Sequence, residues 1–135
     1  MNLPQAYFAV SKHSLAVADD LRTDKHYESA AFFAYHSFEN AGGALCESRG
    51  TKYHPKRHAT KINLFKQDAM RSGIGHGVAQ ASMIFAAVRN LCLYPIESPS
   101  GSKSYITPDQ LINPQAASDM IRRAKGIAAI IAPLI

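Results

Sequence analysis

Between Tyr27 and Leu45 the residues Tyr27, Ala31, Ala34, Phe38, Ala41 and Leu45 recur at alternating steps of four and three. That spacing puts all six on one face of an α-helix but scatters them over both faces of a strand, so the segment reads as an amphipathic helix. Two later series repeat the rhythm: Ile74, Val78, Ala81, Phe85, Val88 and Cys92, and then Ala117, Ile121, Ala124, Ala128 and Ile131. A fourth helix is expected from Pro4 to about Leu21, where Tyr7, Val10, Leu15, Val17, Ala18 and Leu21 supply a less regular apolar face. Its proline falls near the first turn, where a missing N–H costs nothing.

Strand signals are scarce, because nowhere do four or more β-branched or aromatic residues alternate with polar ones between turn signals. Pro95 to Ser104, rich in Pro, Ser and Gly, is the one long loop. Thr107-Pro108-Asp109 and Asn113-Pro114 both offer helix starts, so the last helical region is expected to restart at Asn113. The expected fold is all-α, an up-and-down bundle of four to five helices forming a single domain over residues 1–135. The chain is long enough to bury a core without metals or disulfides, and 47% hydrophobic residues against 19% charged exclude a disordered chain.

Gly42-Gly43 inside the strongest helix would cost about 2 kcal/mol relative to Ala, which points to close approach of another element there. Cys46 and Cys92 each sit on an apolar helical pattern and read as buried free thiols, the state expected in a reducing cytoplasm. The first residues lack the basic and apolar regions of a signal peptide, and no apolar window is long enough to span a bilayer, so no membrane association is expected. Gly126 to Ile135 is apolar but short and contains Pro133, which suits a core helix or an oligomer contact.

The net charge is +5, and its densest concentration lies between Glu47 and Phe65. There Arg49, Lys52, Lys56, Arg57 and Lys61 gather with His54 and His58, and no acidic residue intervenes. Clustered Lys and Arg reward phosphate through charge-assisted hydrogen bonds and counterion release, which makes these five the candidate contacts for RNA or a nucleotide. A solvated basic loop is the alternative. Arg49 and His54 also form a workable phosphodiester pair: Arg can stabilise the charge on a pentacoordinate phosphorus while His takes a proton from an attacking 2′-hydroxyl, with no metal. His58 stands where a helix could begin, either as a second proton-transfer candidate or as a group that orients the loop.

His36, flanked by Phe32, Phe33, Tyr35 and Phe38, reads as a core or interface histidine. His13, His26, His36 and His76 show no i, i+4 pairing with each other and the cysteines no zinc spacing, so no metal or other cofactor is expected. Gly73-Ile74-Gly75-His76-Gly77 follows no strand and lacks the Lys-Ser/Thr of a phosphate loop. Arg89 and Asn90 interrupt an otherwise apolar stretch just before Pro95, and a half-buried Arg89 calls for an anionic partner. That partner is either a ligand or an acid such as Asp20 or Glu39 on a neighbouring helix.

The order of these features resembles the HEPN superfamily of small all-α domains over most of the chain. The segment Tyr27 to Ala41, with its aromatic residues, alanines and His36, is similar to the family's second helix. Ser48-Arg49-Gly50 and Pro55-Lys56-Arg57-His58 through Leu64-Phe65 are similar to its basic loop and following helix. The resemblance implies a helical bundle that commonly dimerises, here a homodimer. It also implies activity as a metal-independent endoribonuclease in toxin–antitoxin or antiphage-defence systems. The family hallmark is Arg, a polar residue, and then His after four to six intervening positions. Arg89 and Asn90 match its beginning, and Tyr94 stands where the His would be. The catalytic set implied is Arg89, Asn90 and Tyr94, with His54 or His58 able to move the proton, because a phenol of pKa about 10 is a poor base at neutral pH. Non-catalytic members are associated with RNA or nucleotide binding or with a nucleotidyltransferase partner, and a purely structural dimer is a further alternative.

Overall fold

The computed structural model describes residues 1–54, 56–101 and 103–135. Pro55 of the quoted basic motif and Ser102 of the Pro95–Ser104 loop lie outside the described residues. Among the described residues there are six α-helices: α1 (Leu3–Thr23), α2 (Tyr27–Ser48), α3 (His58–Arg71), α4 (Gly75–Leu91), the short α5 (Pro108–Leu111) and α6 (Pro114–Ile131). The chain is an all-α bundle, and none of its described helices is long and apolar enough to cross a membrane. Across the long loop, Ile96–Glu97 pairs antiparallel with Tyr105–Ile106, just beyond its end, two residues on each side. Such a short ladder lies below what alternation in sequence can signal.

Local chemistry sets the helix starts. The Asn2 side chain accepts from the Gln5 N–H at 2.9 Å while the Gln5 side chain accepts from the Asn2 N–H at 3.0 Å, a reciprocal cap with Pro4 just inside. Asn113 Oδ1 accepts from the Ala116 N–H at 2.8 Å and starts α6 where expected. At the far end of α2, Gly50 adopts φ +79°, the left-handed conformation that stops a helix without a Cβ penalty.

Helix α2 is the axis of the fold, with residues 37–46 buried without interruption. Helix α1 lies antiparallel to it: Tyr7 meets Gly43, and the Ser11 hydroxyl donates to the Ser37 carbonyl at 2.8 Å. Helix α6 packs antiparallel to α1, with Lys125 Nζ 2.7 Å from Asp19 Oδ2. On the opposite side Phe38 of α2 packs against Phe65 of α3 and Phe85 of α4, with ring centroids 5.0 and 4.8 Å away. All three rings are fully buried, each contributing about 1.5–3 kcal/mol by leaving water.

Helix α3 runs in the same sense as α2, since Glu39 meets His58 and Lys61 while Gly42 meets Phe65. The basic segment makes this possible by returning along α2. Tyr53 is fully buried within it, and its hydroxyl donates to the Glu39 carbonyl at 2.6 Å. Its own N–H donates to Glu47 Oε1 at 2.8 Å. The close approach expected at Gly42 is therefore to Phe65 and Tyr53: a Cβ there would sit 2.5 Å from Phe65 Cδ2 and 2.9 Å from the Tyr53 hydroxyl. Gly42→Val should lower unfolding stability by about 1–3 kcal/mol through overpacking, read as a lower urea midpoint at unchanged slope.

Both cysteines are buried and free. Burial first, and then the neighbouring Asp68, push the Cys46 thiol far above its ordinary value, while burial raises Cys92 to about 11, so neither is a nucleophile at neutral pH.

Candidate functional site

The end of the aromatic core nearest the start of α3 opens into a cleft of about 460 Å³ between α2, α3 and α4. His58, Ala59 and Ile62 form its α3 wall, Ala86, Arg89 and Asn90 its α4 wall, and Tyr35 of α2 its floor. The two walls meet because α3 and α4 form an antiparallel hairpin around the turn at residues 72–74. The first turn of one helix therefore faces the last turn of the other. Three of the residues singled out in sequence, His58, Arg89 and Asn90, are brought together here.

Glu39 organises the site from beneath. Its side chain is 6% exposed, yet it accepts from the Tyr35 hydroxyl, stands 2.7 Å from His58 Nδ1 and accepts from Lys61 Nζ at 3.3 Å. Burial opposes its ionisation, but the hydrogen bonds from Tyr35 and His58 and the charges of His58 and Lys61 outweigh that and hold its pKa below the ordinary 4.5. An ionised carboxylate can only accept, so His58 Nδ1 carries the proton that joins them. In a neutral ring Nε2 is then the free lone pair, on a side chain 52% exposed. This is the carboxylate–imidazole arrangement that fixes a tautomer and aims a base. Burial, reinforced by the bond to Glu39, raises the Tyr35 phenol while the Arg89 charge opposes the rise, leaving Tyr35 a neutral donor.

Arg89 lies across the same floor, its guanidinium carbon 5.8 Å from the Tyr35 ring centroid. The His58 ring is 6.4 Å from that ring on its own side. Arg89 Nη1 donates to Asn90 Oδ1 at 3.2 Å, whereas Arg89 Nε is buried without a hydrogen-bond partner. Neither Asp20 nor Glu39 pairs with Arg89 among the described residues, because His58, Tyr35 and Lys61 already occupy the Glu39 oxygens. The acid expected to neutralise Arg89 is thus engaged elsewhere, and the guanidinium has no ion-pair partner among the described residues.

The remaining candidates lie apart. Tyr94 is 58% exposed on the turn after α4, tied by its N–H to the Asn90 carbonyl, and does not line the cleft. Arg49 caps the end of α2, and Arg49 and His54 are both exposed with no hydrogen bond or ion pair joining them among the described residues. Lys52, Lys56 and Arg57 are exposed along the returning segment, with Arg57 at the N-cap of α3. Lys61 points inward, 16% exposed, bonded to Glu39 and 5.4 Å from the centroid of the Tyr53 ring. His36 is half-buried and stacked on Phe32, and burial lowers its pKa. Tyr35 and Glu39 are the site residues that spacing alone did not single out. The available signal was an acid at an i, i+4 step from a tyrosine, within a run of small and apolar residues.

No protein-family model, curated protein or solved structure matches this chain. The chemistry of the cleft is accordingly read from its own residues.

Proposed function

We propose that the cleft binds a phosphodiester of RNA and cleaves it without a metal, in the manner the HEPN resemblance implies but with His58 in place of the motif histidine. The observation that carries this reading is the Glu39-bound His58 across a shared tyrosine floor from Arg89, which has no ion-pair partner among the described residues. His58 Nε2 takes the proton of a ribose 2′-hydroxyl as that oxygen bonds to phosphorus. The P–O5′ bond breaks, a 2′,3′-cyclic phosphate remains, and the departing 5′-oxygen is protonated from water. Arg89, oriented by Asn90, stabilises the charge that builds on the phosphoryl oxygens. The N-terminus of α3 has no side-chain cap and adds a positive end of a helix dipole beside Arg57 and His58.

Wild-type protein incubated with total RNA in EDTA is expected to produce fragments ending in cyclic phosphate, and Arg89→Ala to lose about 10²–10³-fold in rate with its helical circular dichroism intact. Equal cleavage by both proteins would sink the assignment of Arg89. A second reading, nucleotide binding without cleavage, is favoured because His58 is the single imidazole among the described residues lining the cleft, with no second histidine to protonate the leaving oxygen. Binding by wild type with no fragments from any RNA would select it.

A further inference from the structure

The seam between α3 and α4 does not end at the cleft. It continues into a second concavity of about 470 Å³, lined by Lys66, Met70, Gly73, Gly75, His76 and Ala79. Lys66 lines both and stands between them on the α3–α4 seam. Among the described residues no acid lines either part, while His58, Lys66, His76 and Arg89 supply positive or protonatable groups along it. Met83 in the first part and Met70 in the second are 75% and 74% exposed, giving polarizable apolar surface between the charges. His76 and Arg89 are 13 positions apart on α4, about 20 Å at a rise of ~1.5 Å per residue, beyond the reach of one nucleotide's phosphate. A single strand can lay its bases over the exposed Met83 and Met70, whereas a duplex keeps its bases stacked inside.

From this alignment and charge we infer that the α3–α4 seam is a track for single-stranded RNA, with Lys66 partway along it and His76 marking a far phosphate subsite about 20 Å from Arg89. The inference rests on reading the cleft as a phosphodiester site, and it adds that the ligand is a polymer held along the hairpin. The segment of bases between the two phosphates lies over Met83 and Met70. His76 then contributes affinity only to ligands long enough to reach it.

Fluorescence anisotropy with 2′-O-methyl oligonucleotides, which lack the attacking hydroxyl, tests this without cleavage. A nonanucleotide is expected to bind at least about tenfold more tightly than a trinucleotide, with a steeper salt dependence. His76→Glu should remove most of that length gain, whereas Lys12→Glu, a larger charge change on α1, should leave it. No gain in wild type, or a gain that survives His76→Glu, or one that Lys12→Glu removes equally, would overturn the track. The cleavage assay separates the two ideas: a His76-dependent length gain with no fragments from any RNA retains the track and sinks the catalytic reading. Fragments without a length gain do the reverse.

Discussion

His58→Ala should reduce RNA cleavage by about 10²–10⁴-fold, the range for loss of a positioned proton-transfer group, while leaving the fold in place. The side chain is half exposed and contributes no apolar core, so its removal deprives Glu39 of only one of three partners. Added imidazole should restore part of the rate, because the cleft left behind can admit a small base beside Glu39. The comparison that matters is with His54→Ala. His54 lies exposed on the returning segment and outside the cleft, so its replacement should change the rate by less than a factor of about two. A large loss in His54→Ala with a small one in His58→Ala would move the proton-transfer role back to the Arg49–His54 pair.

The largest effect on stability is expected at Glu39. Glu39→Ala leaves the Tyr35 hydroxyl without its acceptor and Lys61, 16% exposed, with an uncompensated charge. Breaking one side of a buried ion pair costs about 3–5 kcal/mol, to be read from urea unfolding. The same carboxylate gives stability a defined acid dependence. Its pKa in the fold is depressed below 4.5, so the unfolded chain takes up the proton first. The contribution is therefore complete above about pH 4.5 and is lost as pH falls through the lower folded value. Glu39→Gln should flatten that acid limb and lower cleavage about 10²-fold with a changed pH–rate profile, because an amide can no longer hold His58 Nδ1–H by charge. An unchanged profile would mean that Glu39 serves the fold alone.

Local pattern made most of the fold legible. The helical rhythm from Tyr27 to Leu45 marks α2 because a long helix against a core needs a contiguous apolar face, and the Pro and Asn signals near residues 4 and 113 mark starts that depend only on adjacent residues. The path of the basic segment was not legible, since Tyr53 reaches the Glu39 carbonyl across fourteen positions and nothing near Tyr53 encodes that destination. The site divides in the same way. Arg89 and Asn90 stand out as polar residues interrupting an apolar stretch. The pairing of Glu39 with His58 depends on α3 running alongside α2, a tertiary outcome that spacing within one helix cannot report.

The burial of Tyr53 has a bearing on catalytic competence. Its ring, its hydroxyl and its N–H are each engaged with α1 or α2, so Tyr53 is held before any ligand arrives. The entropy of immobilising it is spent during folding, and binding need not supply it. On the proposed reading, His58 held at Nδ1 by the buried Glu39 is a preorganised base, and loosening Tyr53, which donates to the Glu39 carbonyl, should weaken turnover more than it weakens the first encounter with RNA.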